Sequence, residues 1–128
     1  MEKLRAVIIG CGNIFPMHAE SVRQACAKTA QLAAVCDNKR ERAQAAGLKY
    51  GCPAYTDYRE MLEKEKPDVA HICTPHYLHS EMAVFAMKKG VHVFSEKPMA
   101  ISVKEAEDIA AAASETGVKY GICFQNRF

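Results

Sequence analysis

The sequence predicts an α/β fold built on a doubly wound parallel sheet, and three observations predict it. Short apolar runs alternate with longer helical patterns along the whole chain. The runs are continuously apolar, as strands buried on both faces are. The first of them ends in a glycine turn, Gly10-Cys11-Gly12, and the second ends in a single acid, Asp37.

The apolar runs are Leu4–Ile9, Leu32–Cys36, Val69–Cys73, Val91–Phe94 and Val118–Phe124, with a weaker one at Pro53–Tyr55. Between them the apolar residues recur with a period near 3.6. Ile14, Ala19, Val22 and Cys26 share the stripe of the first helix. Leu78, Met82, Phe85, Ala86 and Lys89 form another, with Gly90 as its stop. The last helix opens on Ser102-Val103-Lys104-Glu105, a capping-box pattern, and ends at Gly117. Strand-then-helix repetition with right-handed crossovers gives the strand order 3-2-1-4-5-6, with Pro53–Tyr55 as the short outer strand.

Composition narrows the function classes. The 128 residues form one domain, 1–128, large enough to bury a core. Half the residues are apolar (49%) and a quarter charged (25%), so disordered and collagen-like classes are excluded. The net charge of +2 comes from interspersed acids and bases, which argues against a nucleic-acid partner. No apolar run approaches the roughly 20 residues that span a bilayer. The first apolar run leads into Gly-Cys-Gly instead of a cleavage site, so a cytoplasmic protein is expected. The 6 cysteines form no C-x-x-C pair and read as reduced thiols, several of them within strands. Cys11 lies in the glycine turn, where a helix N-terminus would lower its pKa, although a small residue filling a turn explains it better.

The glycine turn carries the first chemistry. Gly10-Cys11-Gly12-Asn13-Ile14-Phe15 keeps two glycines of G-x-G-x-x-G and has phenylalanine at the third. Gly10 permits the tight turn, and Gly12 lets backbone amides approach a pyrophosphate at the start of the next helix. Asp37 follows about 20 residues beyond the loop, the usual offset of a carboxylate that bonds an adenosine ribose. It would equally cap the following helix. As a ribose ligand it repels a 2′-phosphate and favours NAD over NADP. Lys39 and Arg40 follow closely enough to hold such a phosphate if the chain turned toward it.

The other candidates sit at later strand ends, where an open parallel sheet places its ligands. Thr74-Pro75-His76-Tyr77-Leu78-His79 follows one strand and Glu96-Lys97-Pro98 the next. A charged pair locked to a proline at a strand tip is poorly suited to a core and well suited to a ligand. His76 and His79 have metal-ligand spacing, but no carboxylate or cysteine completes a site, and no metal is expected. One of them is a plausible polar contact to cofactor or substrate. His18, His71 and His92 read as structural.

Taken together, these motifs resemble the N-terminal nucleotide-binding Rossmann domain of the Gfo/Idh/MocA (glucose–fructose oxidoreductase and inositol dehydrogenase) family. The resemblance covers essentially the whole chain. It rests on Gly10-Cys11-Gly12-Asn13-Ile14, His18, Cys36-Asp37, Thr74-Pro75 with His79, Gly90-Val91-His92-Val93 and Glu96-Lys97-Pro98. It implies that Lys97 lies beside the nicotinamide and contacts the substrate hydroxyl. It also implies that Glu96 helps hold the cofactor side, and that the reaction interconverts a hydroxyl and a ketone on a sugar, inositol or related polyol. Gly10, Gly12, Asn13, Ile14, Asp37, Thr74, Pro75, His79 and Glu96 are the cofactor-binding set this reading implies, with Lys97 as the catalytic residue.

Two features depart from the family pattern. Phe15 at the third glycine position implies a wider loop or a ring that walls the cofactor. The family's second, largely β domain, which supplies much of the substrate pocket, has no counterpart within these residues. The expected function is thus the dinucleotide half of a dehydrogenase, with polyol turnover not expected of it alone. A dinucleotide-binding module or sensor is the alternative. The strand Val118–Phe124, at the edge of the sheet, is a template for a homodimer.

Overall fold

Four consecutive residues of the first strand, Ala6, Val7, Ile8 and Ile9, are each at most 1% exposed. A strand reaches that state only when both faces of its sheet are covered. The computed structural model describes residues 3–12, 14–25, 27–74, 78–96 and 102–123. Its strands are β1 (Leu4–Ile9), β2 (Ala30–Cys36), β3 (Ala54–Tyr55), β4 (Val69–Ile72), β5 (His92–Glu96) and β6 (Tyr120–Cys123). Its helices are α1 (Phe15–Glu20), α2 (Arg40–Tyr50), α3 (Tyr58–Glu65), α4 (His79–Lys88) and α5 (Val103–Thr116). The strands form one sheet in the order β3-β2-β1-β4-β5-β6, every pair parallel. This is the expected order, with Ala54–Tyr55 as the short outer strand.

Parity along the strands sorts the core into two layers. Val7, Ile9, Ala34, Cys36, Ala70, Ile72 and Val93 face α3, α4 and α5, meeting Met61, Leu62, Met87 and Ile109. Ile8 and Val35 face the other way, against Phe15 and Ala19 of α1 and Ala46 of α2. Each fully buried Ile or Met in these layers contributes roughly 1.5–3 kcal/mol. Helices on both faces are what make the strands apolar throughout.

Local chemistry sets the helix ends. The Ser102 hydroxyl accepts the Glu105 N–H at 3.2 Å, and α5 stops at Gly117, whose φ is +74°. Asp57 caps α3 by accepting the Arg59 N–H at 2.9 Å. Lys66 ends α3 with φ at +46°, one residue before Pro67, whose ring disfavours a right-handed helical residue ahead of it. After six residues α1 widens into a π-helical segment, Ser21–Ala25. No helix among the described residues is long and apolar enough to cross a membrane.

Strand boundaries move in one instructive place. The fifth strand begins at His92 and runs on through Ser95 and Glu96. Glu96 is therefore the last strand residue, paired in register with Cys123, rather than the first residue of a loop. β6 pairs with β5 as expected. Phe124 and the tail after it lie outside the described residues.

Replacing Ser102 by Ala removes the α5 cap and should cost about 1 kcal/mol. A thermal melt should show this as a Tm drop of about 4 °C. Val103→Ala, at a site 75% exposed, should change stability by less than about 0.5 kcal/mol.

Candidate functional site at the strand carboxyl ends

The chain reverses its direction of travel across the sheet between β1 and β4. β2 and β3 lie to one side of β1, and β4, β5 and β6 to the other. Strand ends on either side of such a point leave a crevice, the place where open α/β sheets bind ligands. Gly10 marks it. Its φ is +101°, and a Cβ there would lie 2.8 Å from both the carbonyl carbon and the oxygen of Cys73. Its N–H donates to the Cys36 carbonyl at 2.7 Å, while the Cys73 N–H donates to the Ile9 carbonyl at 2.8 Å. Three strand ends thus converge on a residue that has to be glycine.

Gly12 differs. Among the described residues a Cβ at Gly12 would meet only the Arg42 guanidinium, at 3.7 Å, which leaves space beside this turn. Ile14 is the N-cap residue of α1 and offers no side-chain cap. Asn13 lies outside the described residues. Phe15 turns into the core. It is 5% exposed and packs among Ile8, Ala19, Val35 and Ala46, edge-on to Tyr50 at 5.5 Å between ring centroids. Alanines at positions 19 and 46 free the volume that the ring takes.

Asp37 stands at the end of β2, with its side chain almost wholly buried. Oδ2 accepts the Cys11 N–H and Oδ1 the Lys39 N–H, both at 2.8 Å. A carboxylate has about four acceptor sites, so two are left for a ligand hydroxyl by the described residues. The N-cap position of α2 itself falls to Lys39, without a side-chain cap. Arg42 is the cation beside Asp37, with Nη1 at 3.9 Å from Oδ2. Sequence spacing had pointed to Lys39 or Arg40. Arg42 escaped notice because it meets Asp37 only after the first turn of α2 has formed. Burial, then the Asp37 charge, push the Cys11 thiol up to about 12, the reverse of activation by a helix N-terminus.

The ends of β4 and β5 are clipped together. His79 is fully buried; its Nε2 meets the Thr74 carbonyl at 2.7 Å and its Nδ1 lies 3.4 Å from the Ser95 hydroxyl. It supports the loop after β4 from inside the core. Thr74 directs its hydroxyl to the Met82 sulfur at 3.4 Å. Pro75, His76, Lys97 and Pro98 lie outside the described residues. Among the described residues no group of three His, Cys, Asp or Glu side chains could hold a metal ion.

Glu96 is 7% exposed, and its partner is a residue read from sequence as merely structural. His18 of α1, 4% exposed, places Nε2 at 3.3 Å from Glu96 Oε2. Its Nδ1 lies 2.8 Å from His71 Nδ1. Burial, then the charge on His18, lower the His71 pKa to about 4. The available signal was parity: Ile8, His71 and Phe94 are register partners on the face that α1 covers. His92, by contrast, is exposed and accepts the Lys119 N–H at the far end of β5.

Comparison with known proteins agrees with this geometry. A family model described as "Oxidoreductase family, NAD-binding Rossmann fold" matches residues 4–124. The chain is 35% identical over 128 residues to D-glucoside 3-dehydrogenase of Escherichia coli, covering 98% of the chain and 36% of that protein. It is 37% identical over 116 residues to a scyllo-inositol 2-dehydrogenase (NADP(+)) of Bacillus subtilis, covering 90% and 35%. Among solved structures it is similar to the WlbA dehydrogenase of Bordetella pertussis in complex with NADH and UDP-GlcNAcA. The TM-score there is 0.93 and the identity 32%, over 98% of this chain and 38% of that one. The chain therefore spans about a third of the length of these relatives.

Two measurements test the site's construction. Gly10→Ala forces a Cβ into the Cys73 carbonyl at a positive φ and should cost about 2–5 kcal/mol in urea denaturation. His71 stays neutral in the folded chain down to about pH 4. A histidine in the unfolded chain takes its proton near pH 6.5. The unfolded chain binds more protons between these values, so stability should fall as pH drops from about 6.5 to 4, by up to about 3 kcal/mol. His71→Asn, which does not titrate, should lose that part of the pH dependence.

Proposed function

Because the chain belongs to the oxidoreductase family with an NAD-binding Rossmann fold, we propose that it holds NAD(H) across the carboxyl ends of β1, β2, β4 and β5. We further propose that it serves the interconversion of a hydroxyl and a ketone on a sugar, an inositol or a related polyol. The observation that carries this reading is the pairing of Gly10 and Gly12 with Asp37. Gly10 brings the ends of β1 and β4 together, the space beside Gly12 is open among the described residues, and Asp37 at the end of β2 keeps two acceptor sites that no described residue fills. These features fit a dinucleotide. The pyrophosphate would lie over the Gly12 turn, and the adenosine ribose would meet Asp37.

NAD bound there supplies the hydride acceptor or donor. The remaining work belongs to side chains. Asp37 orients the ribose and, clamped to Cys11 N–H, keeps the turn in shape. His79 holds the Thr74 carbonyl and so the loop after β4. Glu96 holds the β5 end of the site. Lys97, by its match to the family's Glu-Lys-Pro motif, meets the substrate hydroxyl and relays its proton. The names of the relatives, a D-glucoside and a scyllo-inositol dehydrogenase, support a polyol hydroxyl as the reacting group.

Cofactor choice turns on two side chains. Asp37 repels a 2′-phosphate, while Arg42 at 3.9 Å would attract one. Asp37 has the shorter reach, being nearly buried against the turn, whereas the Arg42 side chain is 51% exposed and screened by solvent. NAD(H) is therefore the preferred form.

Fluorescence titration should show tighter binding of NADH than of NADPH. Asp37→Asn, which keeps the shape and drops the charge, should weaken NADH about tenfold and narrow the preference. Tighter binding of NADPH by the unaltered chain would overturn the assignment and place Arg42 in control. Lys97→Ala should leave NADH affinity close to that of the parent. The 128-residue chain should bind NADH while oxidising polyols at background rate, because one lysine on the cofactor side does not orient a substrate.

A further inference from the structure

Three buried ionisable side chains form a string that dinucleotide binding by itself does not require. His71 comes from β4, His18 from α1 and Glu96 from β5. The strands set the arrangement: His71 pairs in register with Ile8 and with Phe94, and Glu96 stands two residues beyond Phe94 on the same face. α1 covers this face and drops His18 between the other two. The rings of His18, His71 and Phe94 pack with centroids 5.1, 5.4 and 5.9 Å apart, which leaves the imidazoles little freedom to turn.

Hydrogen accounting fixes how the string works. Two imidazole nitrogens at 2.8 Å share a single hydrogen, one ring donating and the other accepting. Two facing lone pairs would leave both buried nitrogens unbonded, and two facing N–H groups would collide. At the other side of His18, Glu96 Oε2 lies 3.3 Å from Nε2, within ion-pair distance though not aligned as a hydrogen bond, and a carboxylate oxygen there favours the tautomer with its hydrogen on Nε2. Both demands are met when His18 carries Nε2–H and accepts from His71, or when a protonated His18 donates at both nitrogens to a neutral His71. In either state His71 sets what His18 Nδ1 does, and His18 Nε2–H stays turned to Glu96. Among the described residues β1 and β5 otherwise face the pair with Ile8 and Phe94, both apolar.

We propose that His71 is a positioning residue for the dinucleotide site: through His18 it holds the Glu96 carboxylate at the end of β5. The string also ties the helix after the glycine turn to the strand that ends at Glu96, so both sides of the crevice are held at a common distance. This rests on the reading above that Glu96 borders the bound dinucleotide. His71 itself touches no ligand. It acts two side chains away, as outer partners of a ligand-holding histidine or carboxylate commonly do.

The experiment compares the 128-residue chain with His71→Leu and His71→Asn. Asparagine places an amide near the position of imidazole Nδ1, so it retains a partner for His18; leucine fills the volume and removes it. The first readout needs no cofactor: ¹⁵N NMR of the histidine rings across pH 5.5–8. The parent and His71→Asn should show the neutral His18 ring with its hydrogen on Nε2, and His71→Leu should lose that fixed tautomer. The second readout is NADH affinity, expected to fall about tenfold in His71→Leu and to stay within about twofold in His71→Asn. An unchanged His18 tautomer and pH profile in His71→Leu would overturn the proposal, whatever the affinity. Altered His18 signals with unaltered NADH affinity would also overturn it, since Glu96 would then not be held for the cofactor. Failure of the parent chain to bind NADH at all would instead count against the dinucleotide reading, and the ring spectra would still decide the link from His71 to His18.

Discussion

The end of β1 passes so close to the end of β4 that the residue between them has no room for a side chain. A Cβ on Gly10 would lie 2.8 Å from the Cys73 carbonyl, closer than carbon atoms approach one another. This contact joins the two halves of the sheet at the point where the chain changes direction, and it lets the Ile9 carbonyl bond Cys73 N–H while Gly10 N–H bonds Cys36. Every proposed ligand-facing group is placed relative to it. Asp37 reaches Cys11 N–H because Cys11 follows this turn, and α1 starts where it does because the turn is tight.

Around that contact the polar side chains are held in place mainly by the protein itself. Asp37 binds two backbone amides, and His79 binds a carbonyl and approaches a hydroxyl. Glu96 sits within ion-pair distance of His18. In a low-dielectric setting such ties are costly to leave incomplete, and a completed set orients its members firmly. A carboxylate oriented by backbone amides can meet a ligand hydroxyl without first losing rotamer freedom, so preorganisation replaces part of the entropy that binding would otherwise cost. The two layers of apolar core behind the strand ends serve the same purpose, since they prevent the tips from shifting independently.

Much of this was legible in the sequence. Continuous apolar runs determined a parallel sheet covered on both faces, because an alternating strand would leave one face polar. Ser102 with Glu105, Gly90 and Gly117 determined helix ends, because capping is decided by residues within one turn of each other. Gly10, Gly12 and Asp37 marked the crevice by spacing alone. These are local or periodic signals, and a chain read residue by residue carries them.

What only the tertiary structure decided involves residues distant in sequence. Phe15 turns into the core because Ala19 and Ala46 leave it space, and Ala46 belongs to a different helix. Arg42, and not Lys39 or Arg40, comes to Asp37 because the first turn of α2 carries it there. His79 is drawn fully inside by Thr74 and Ser95, so its place near a strand end supports a loop. His18 and His71 are 53 residues apart, and their meeting with Glu96 depends on strand register and on the face that α1 covers. The sequence by itself determined the sheet, its order and the crevice. Which buried polar groups meet there was settled by packing, since hydrogen bonds between elements exist only once those elements have docked.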